Sequence, residues 1–194
     1  CPLAAAVRVV IVTGENTFAG HKWRETSAAI KEIVEKNEGV QATIAPDPNF
    51  LASNDLFGFD VAVLDFRNEK PLAKDEQARA NLLKFLGQGR GLVLVHWASG
   101  AFPQWPEFAN IAGRCQQRKH DVRGAFKVKI VNRRHPTTNG MQDFETDDEL
   151  SFDFTGERPT QVLATAHSVK TDKDHPMAFT LGITTFSSSS CWWK

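Results

Sequence analysis

The chain has 194 residues, 41% hydrophobic and 24% charged, which fits one ordinary globular domain and argues against disorder. Lys plus Arg equals Asp plus Glu at 23 each, so no net field favours nucleic acid or an anionic membrane. Tyr is absent beside 14 Phe, which excludes a phenolic acid or base, and no apolar run of about 18 residues is present to span a bilayer.

Val7 to Val12 is a continuous apolar run rich in β-branched residues, the pattern of a strand buried on both faces. After a polar loop, Thr13 to Gly20, a helix is predicted over His21 to Asn37, with Trp23, Ile30, Ile33 and Val34 at helical spacing. Val40, Ala42 and Ile44 alternate as in a short strand near a sheet edge, which Pro46 and Pro48 end. Asp60 to Phe66 reads as a second buried strand. Lys74 to Gly87 reads as a helix with Ala78, Leu82, Leu83, Phe85 and Leu86 inward. Leu92 to Val95 is a third apolar strand and runs into His96. This alternation of strands and helices predicts a parallel sheet, with 7–12, 60–65 and 92–95 at its centre.

The second half changes character. Ala125 to Val131 alternates, and further strands are predicted at Glu149 to Phe154, Gln161 to Ala166 and His175 to Leu181. His135-Pro136 and Asn139-Gly140 are turn signals. Ser187 to Lys194 is low-complexity and fits no element.

In an open parallel α/β sheet, ligands bind beyond the carboxyl ends of the strands. That rule nominates Thr13 to His21, Asp65 to Asn68 and His96 to Gly100, which carry Glu15, Asn16, His21, Asp65, Arg67, His96, Trp97 and Ser99. Asp65 and Ser99 have a plainer reading as caps of the following turns. His96 stands where such folds turn sharply from strand to helix and present a nucleophile. The local sequence V-H-W-A-S-G lacks the Ser or Cys of a nucleophile elbow, so acyl-enzyme chemistry is disfavoured. An imidazole there suits a general base, an electrophile or a metal ligand, and its bland alternative is a buried His bonded to backbone.

His120 lies in a basic stretch, Gln116 to Arg123, that is otherwise read as a solvated loop. Its functional reading is an imidazole oriented by Asp121, or one that joins His21 and His96 around zinc or another divalent metal. Asp147, Asp148 and Glu149 are read either as solvated surface or, in a closed site, as a source of an acid. His167 is read as exposed. Cys1, Cys115 and Cys191 have neither zinc-ribbon nor redox spacing, and Cys115 is not expected to mark an active site. Cys1 reads as the residue left by lipoprotein signal cleavage or as a product of truncation. A bacterial cytoplasmic location and export after signal cleavage both stand.

Together, VRVVIVTGENTFAGHKW (7–23), GRGLVLVHWASGAFPQWPEF (89–108), GRCQQRKH (113–120), HPTTNGMQDFETDDEL (135–150) and HPMAFTLG (175–182) resemble the ThuA-like, trehalose utilisation, family. The resemblance implies an α/β, flavodoxin-like three-layer sandwich with a mainly parallel central sheet and extra strands in the C-terminal half. That fold is similar to class I glutamine amidotransferases without their catalytic Cys. It further implies a role in carbohydrate metabolism, around disaccharides and their 3-keto derivatives. By position, the family's recurring polar residues fall on His21, His96, Trp105, His120, His135, Asp148 and Glu149. The pattern departs after Gly182, where ITTFSSSSCWWK replaces a Gly-rich turn, a strand and a Gly-His pair. Residues 1–182 are therefore expected to form one domain, with 183–194 as an anomalous or truncated tail.

The expected function is acid/base or metal-assisted chemistry on a small-molecule carbohydrate, with His96, His120 and Glu149 catalytic. Glu15, His21, Arg67, Trp97, Trp105 and Asp148 are expected to bind substrate, the Trp rings by offering flat faces to a sugar. His21, His96 and His120 are expected to share one pocket. The alternative is a carbohydrate-binding or accessory subunit without catalysis. No nucleic acid is expected as partner, and a homo-oligomer is compatible with the sequence.

Overall fold

The computed structural model describes residues 5–14 and 21–182. Contacts gather into two compact units, one running to Pro106 and one beginning at Glu107. Among the described residues each unit is built on its own four-stranded sheet.

In the first unit, β1 (Val7–Thr13), β2 (Val40–Ala45), β3 (Val61–Asp65) and β4 (Gly91–Leu94) are parallel, in the order β2-β1-β3-β4. Parallel neighbours need a long crossover, supplied between β1 and β2 by helix α1 (Trp23–Glu35) and between β3 and β4 by α2 (Asp75–Gly87). Val10, Ile11, Val12, Ala62 and Leu64 are wholly inaccessible to solvent, so the unbroken apolar runs correspond to burial on both faces. Ile30 and Val34 of α1 pack on Val9, Ile11, Ala42 and Val63. Burying each larger aliphatic side chain contributes about 1.5–3 kcal/mol.

Two expectations need correction here. β4 lies at an edge of the sheet rather than at its centre, with β3 its one strand neighbour among the described residues. Val93 is correspondingly 46% exposed. No residue of β4 is fully buried, so an apolar run fixes neither how well a strand's faces are covered nor how many strands flank it. On α2, Leu83 is only half-buried, and Asn81 is buried beside Leu82 instead. The Asn81 amide donates to the carbonyls of Leu51 at 3.0 Å and Ser53 at 3.3 Å, tying α2 to two short 3-10 turns at Pro48–Ala52 and Asn54–Gly58.

The second unit opens with a short helix, α3 (Phe108–Ala112). Its strands β5 (Gly124–Ile130), β6 (Phe144–Asp148), β7 (Gln161–Ser168) and β8 (Lys173–Thr180) are antiparallel, in the order β6-β5-β7-β8. Val128 and Ile130 cluster with Ala164, while Lys127 and Lys129 are exposed, the alternation of a sheet covered on one face. The His135 carbonyl accepts from Thr138 and Asn139 N–H at 3.0 and 2.8 Å, which forms the expected turn.

The strand predicted at Glu149 to Phe154 is found earlier, as β6. Leu150 and Phe152 are buried, so the alternation there is real, but Asp153 has φ +52° and breaks an extended ladder. Isolated bridges from His120 to Ser151 and from Cys115 to Thr155 take its place. β6 itself is a mostly exposed edge strand, FETDD, whose carboxylates discourage pairing with another chain. At the second bridge, Cys115 and Thr155 exchange main-chain hydrogen bonds of 2.6 and 2.9 Å. Gly113 (φ +73°) and Gly156 (φ +124°) flank it so closely that a Cβ on Gly156 would lie 2.4 Å from the Gly113 carbonyl oxygen.

Candidate active site

The carboxyl ends of β1, β3 and β4 collect polar side chains in the first unit. β1 and β3 stay in register to their last residues, Thr13 opposite Asp65, and the Thr13 hydroxyl donates to the Asp65 carbonyl oxygen at 2.9 Å. Ladder bonding continues past β4, where Val95 N–H donates to Leu64 at 3.0 Å. The chain then turns sharply into a 3-10 turn, His96–Gly100, and the turning residue is His96 itself. Its φ of +54° is left-handed, a conformation that costs a non-glycine residue on the order of 1 kcal/mol. Trp97, Ala98, Ser99 and Gly100 are buried behind it, whereas His96 is exposed. Imidazole therefore occupies the sharply turned position that the sequence nominates.

α1 begins at Trp23, two residues later than expected, so His21 lies outside the helix. Its half-buried ring stacks on Trp97 at 3.4 Å between centroids and 14° between planes. The His96 ring is 5.2 Å away, tilted by 58°. Two imidazoles and an indole thus form one cluster.

Asp65 is 5% exposed, and its Oδ2 has no hydrogen-bond partner among the described residues. Burial pushes its carboxyl pKa up to about 6, opposed by the Thr13 hydroxyl, so its charge changes near neutral pH. Arg67 is 8% exposed and Trp105 6%. Trp105 packs edge-on to Phe102 at 5.5 Å, with the Arg79 guanidinium 5.5 Å over its ring. Glu15 and Asn16 lie outside the described residues, as do Cys1, Cys191 and the 187–194 tail.

The remaining nominated residues belong to the second unit. His120 Nδ1 is 2.8 Å from the Asp121 carbonyl oxygen, which accepts, so Nδ1 carries the proton and Nε2 the lone pair in the neutral ring. Glu149 Oε2 is 3.7 Å from the same nitrogen, and Asp148 Oδ1 accepts from Glu149 N–H at 2.8 Å. The Asp121 carboxylate does not orient His120. It accepts from Ser168 Oγ at 2.9 Å, Val169 N–H at 3.1 Å and Lys170 N–H at 3.2 Å, holding the turn between β7 and β8. His135 Nδ1 accepts from Thr137 N–H at 3.2 Å within its own turn. His167 is exposed, as expected, between Asp172 and Asp174. Cys115 is buried beside its bridge to Thr155.

Among the described residues, no group of three or more His, Cys, Asp or Glu side chains is arranged to hold a metal ion. The divalent-metal reading of His21, His96 and His120 therefore gains no support. No helix among them is long and apolar enough to cross a membrane.

A parallel sheet with polar groups at its carboxyl ends and a left-handed residue at the strand-to-turn corner defines an α/β protein of the flavodoxin-like, class I glutamine amidotransferase-like kind. A family model described as ThuA, trehalose utilisation, matches residues 8–190, and the chain belongs to that family. Two solved structures share the fold. A putative ThuA-like protein from Parabacteroides merdae is 20% identical with a TM-score of 0.76, over 93% of this chain and 76% of that one. Another from Bacteroides uniformis is 16% identical with a TM-score of 0.68, over 92% of this chain and 79% of that one. No curated protein matches the chain.

Proposed function

We propose that this trehalose-utilisation family member is an enzyme acting on a disaccharide or its 3-keto derivative, with His96 and His21 as its acid/base pair. The observation that carries this reading is the exposed, left-handed His96 at the strand-to-turn corner, with the His21 ring 5.2 Å from its own. A strained residue kept at the position from which this fold presents reactive groups has more to do than fill space. The buried Trp97 serves the pair as the ring on which His21 stacks.

The chemistry follows from what an imidazole pair can do near neutral pH. A ketone at C3 acidifies the C2 hydrogen, and His96 takes that proton while the C–H electron pair forms an enolate. The pair then returns to make the C1–C2 double bond and expel the glycosidic oxygen. His21 in its protonated form gives that oxygen a proton, so the step is redox-neutral. Stacking on Trp97 fixes the His21 plane, and positioned proton transfer of this kind contributes about 10²–10⁴-fold.

The test is incubation of the full chain with trehalose and with 3-keto-trehalose, following release of glucose. The expected result is turnover of at least one, reduced about 100-fold or more in His96→Ala at unchanged binding. Saturable binding without turnover would favour the accessory-subunit alternative, and neither binding nor turnover would end the carbohydrate reading.

A further inference from the structure

The second unit carries an open depression of about 550 Å³ lined by Arg118, Lys119, His120, Asp121, Phe152 and Lys170, among others. That volume lies in the range of small-ligand sites. We propose that this depression binds a small hydroxylated anion, a sugar carrying a phosphate or a carboxylate, through the ammonium of Lys170 and Nε2 of His120.

The charges in the depression are placed unequally. The Lys119 ammonium is held by Asp153 at 3.1 Å. Lys170 makes no ion pair among the described residues; its ammonium stands 5.7 Å over the ring of buried Phe152. A cation left on an apolar surface is one that an incoming anion can pair with at low desolvation cost. Asp121 does not occupy that role, because its carboxylate accepts from Ser168 Oγ and from Val169 and Lys170 N–H. Those bonds instead fix the backbone from which Lys170 projects.

His120 supplies complementary chemistry. With Nδ1–H donated to the Asp121 carbonyl, Nε2 presents a lone pair and accepts from a ligand hydroxyl. An inorganic anion pairs with Lys170 alone, whereas a sugar anion also donates a hydroxyl to His120 Nε2. Exposed Val122 belongs to the same lining and gives the carbon skeleton an apolar contact.

Binding, not turnover, tests this proposal, so its outcome is separate from that of the enzymatic reading. Calorimetric titration of the full chain uses glucose 6-phosphate, glucuronate, glucose and inorganic phosphate. One or both sugar anions should bind at least about tenfold more tightly than glucose, the difference expected for one charge-assisted hydrogen bond. Preference for glucose 6-phosphate over glucuronate identifies phosphate as the anion, and the reverse identifies carboxylate. Lys170→Gln should weaken the preferred ligand by about tenfold, Lys170→Arg should restore it, and Lys119→Gln should change it less than about threefold. His120→Ala should weaken the sugar anion and leave inorganic phosphate unaffected. Equal affinity for glucose and both anions, or full binding by Lys170→Gln, overturns the proposal.

Discussion

The two units solve the problem of burying a sheet in different ways. The first covers both faces of parallel strands, so Val9 to Val12 and Val63 to Leu64 are sealed without interruption. Polar chemistry is pushed to the strand ends, where Asp65, Arg67 and His96 stand. The second covers one face of an antiparallel sheet and leaves Lys127, Lys129 and most of β6 in solvent. Its polar groups gather in loops at 116–122 and 168–172. A doubly covered sheet thus concentrates functional residues at an edge of the fold, while a singly covered one spreads them along surface turns.

The contrast is sharpened most by truncating matched apolar side chains. Leu64→Ala, at a site with no exposure, should cost about 3 kcal/mol or more, whereas Phe144→Ala, 44% exposed on β6, should cost less than about 1 kcal/mol. Urea unfolding measures both, and equal costs would break the comparison.

Next in size is a pH effect confined to the first unit. The folded carboxyl of Asp65 titrates near 6, above its ordinary 3.8, so the folded state holds its proton longer than the unfolded chain. Stability from this group is therefore greatest below about pH 4 and falls as pH rises through 6, by up to about 3 kcal/mol. Asp65→Asn should remove that slope and be the more stable protein at pH 7. A wild-type slope that persists in the variant would contradict the assignment.

In the second unit, Asp121→Ala removes three accepted hydrogen bonds from a buried carboxylate, with an expected loss of about 2 kcal/mol. Amide exchange should accelerate at Val169 and Lys170 and remain unchanged in β1. The smallest effect belongs to the turned corner. His96→Gly should be about 1 kcal/mol more stable than His96→Ala, because only glycine occupies a φ of +54° without strain. Thermal melts of the two variants decide this, and equal stability would mean the corner stores no strain.

The parallel sheet was legible because β1, β3 and β4 are unbroken apolar runs, and the crossover helices lie where the periodicity changes. The edge position of β4 was not, since hydrogen-bond neighbours leave no compositional trace. The misplacement of the 149–154 strand has a local cause. Leu150, Phe152 and Phe154 alternate as strand residues do, but the left-handed Asp153 is invisible in sequence. Among site residues, His96 could be nominated from the strand it ends and His21 from the loop before α1. Arg118 lies in the basic stretch Gln116 to Arg123. Lys170 and Phe152 gave no signal, because residues brought together from 118–122, 152–153 and 170 meet only through antiparallel pairing.

Gly113 and Gly156 are each confined to glycine, by different neighbours: Thr160 stands against the first and the main chain of Gly113 and Arg114 against the second. Either replaced alone meets backbone or forces a left-handed side chain, and the carbonyl facing Gly156 has no rotamer by which to step aside. Sequence drift at the two positions is therefore restrained separately: a side chain at 156 becomes acceptable only after the main chain at 113–114 has moved, and one at 113 must displace Thr160 and adopt a left-handed φ. Among descendants of this chain, these two positions should be the slowest to diversify in the second unit, ahead of residues with larger buried area and greater chemical interest.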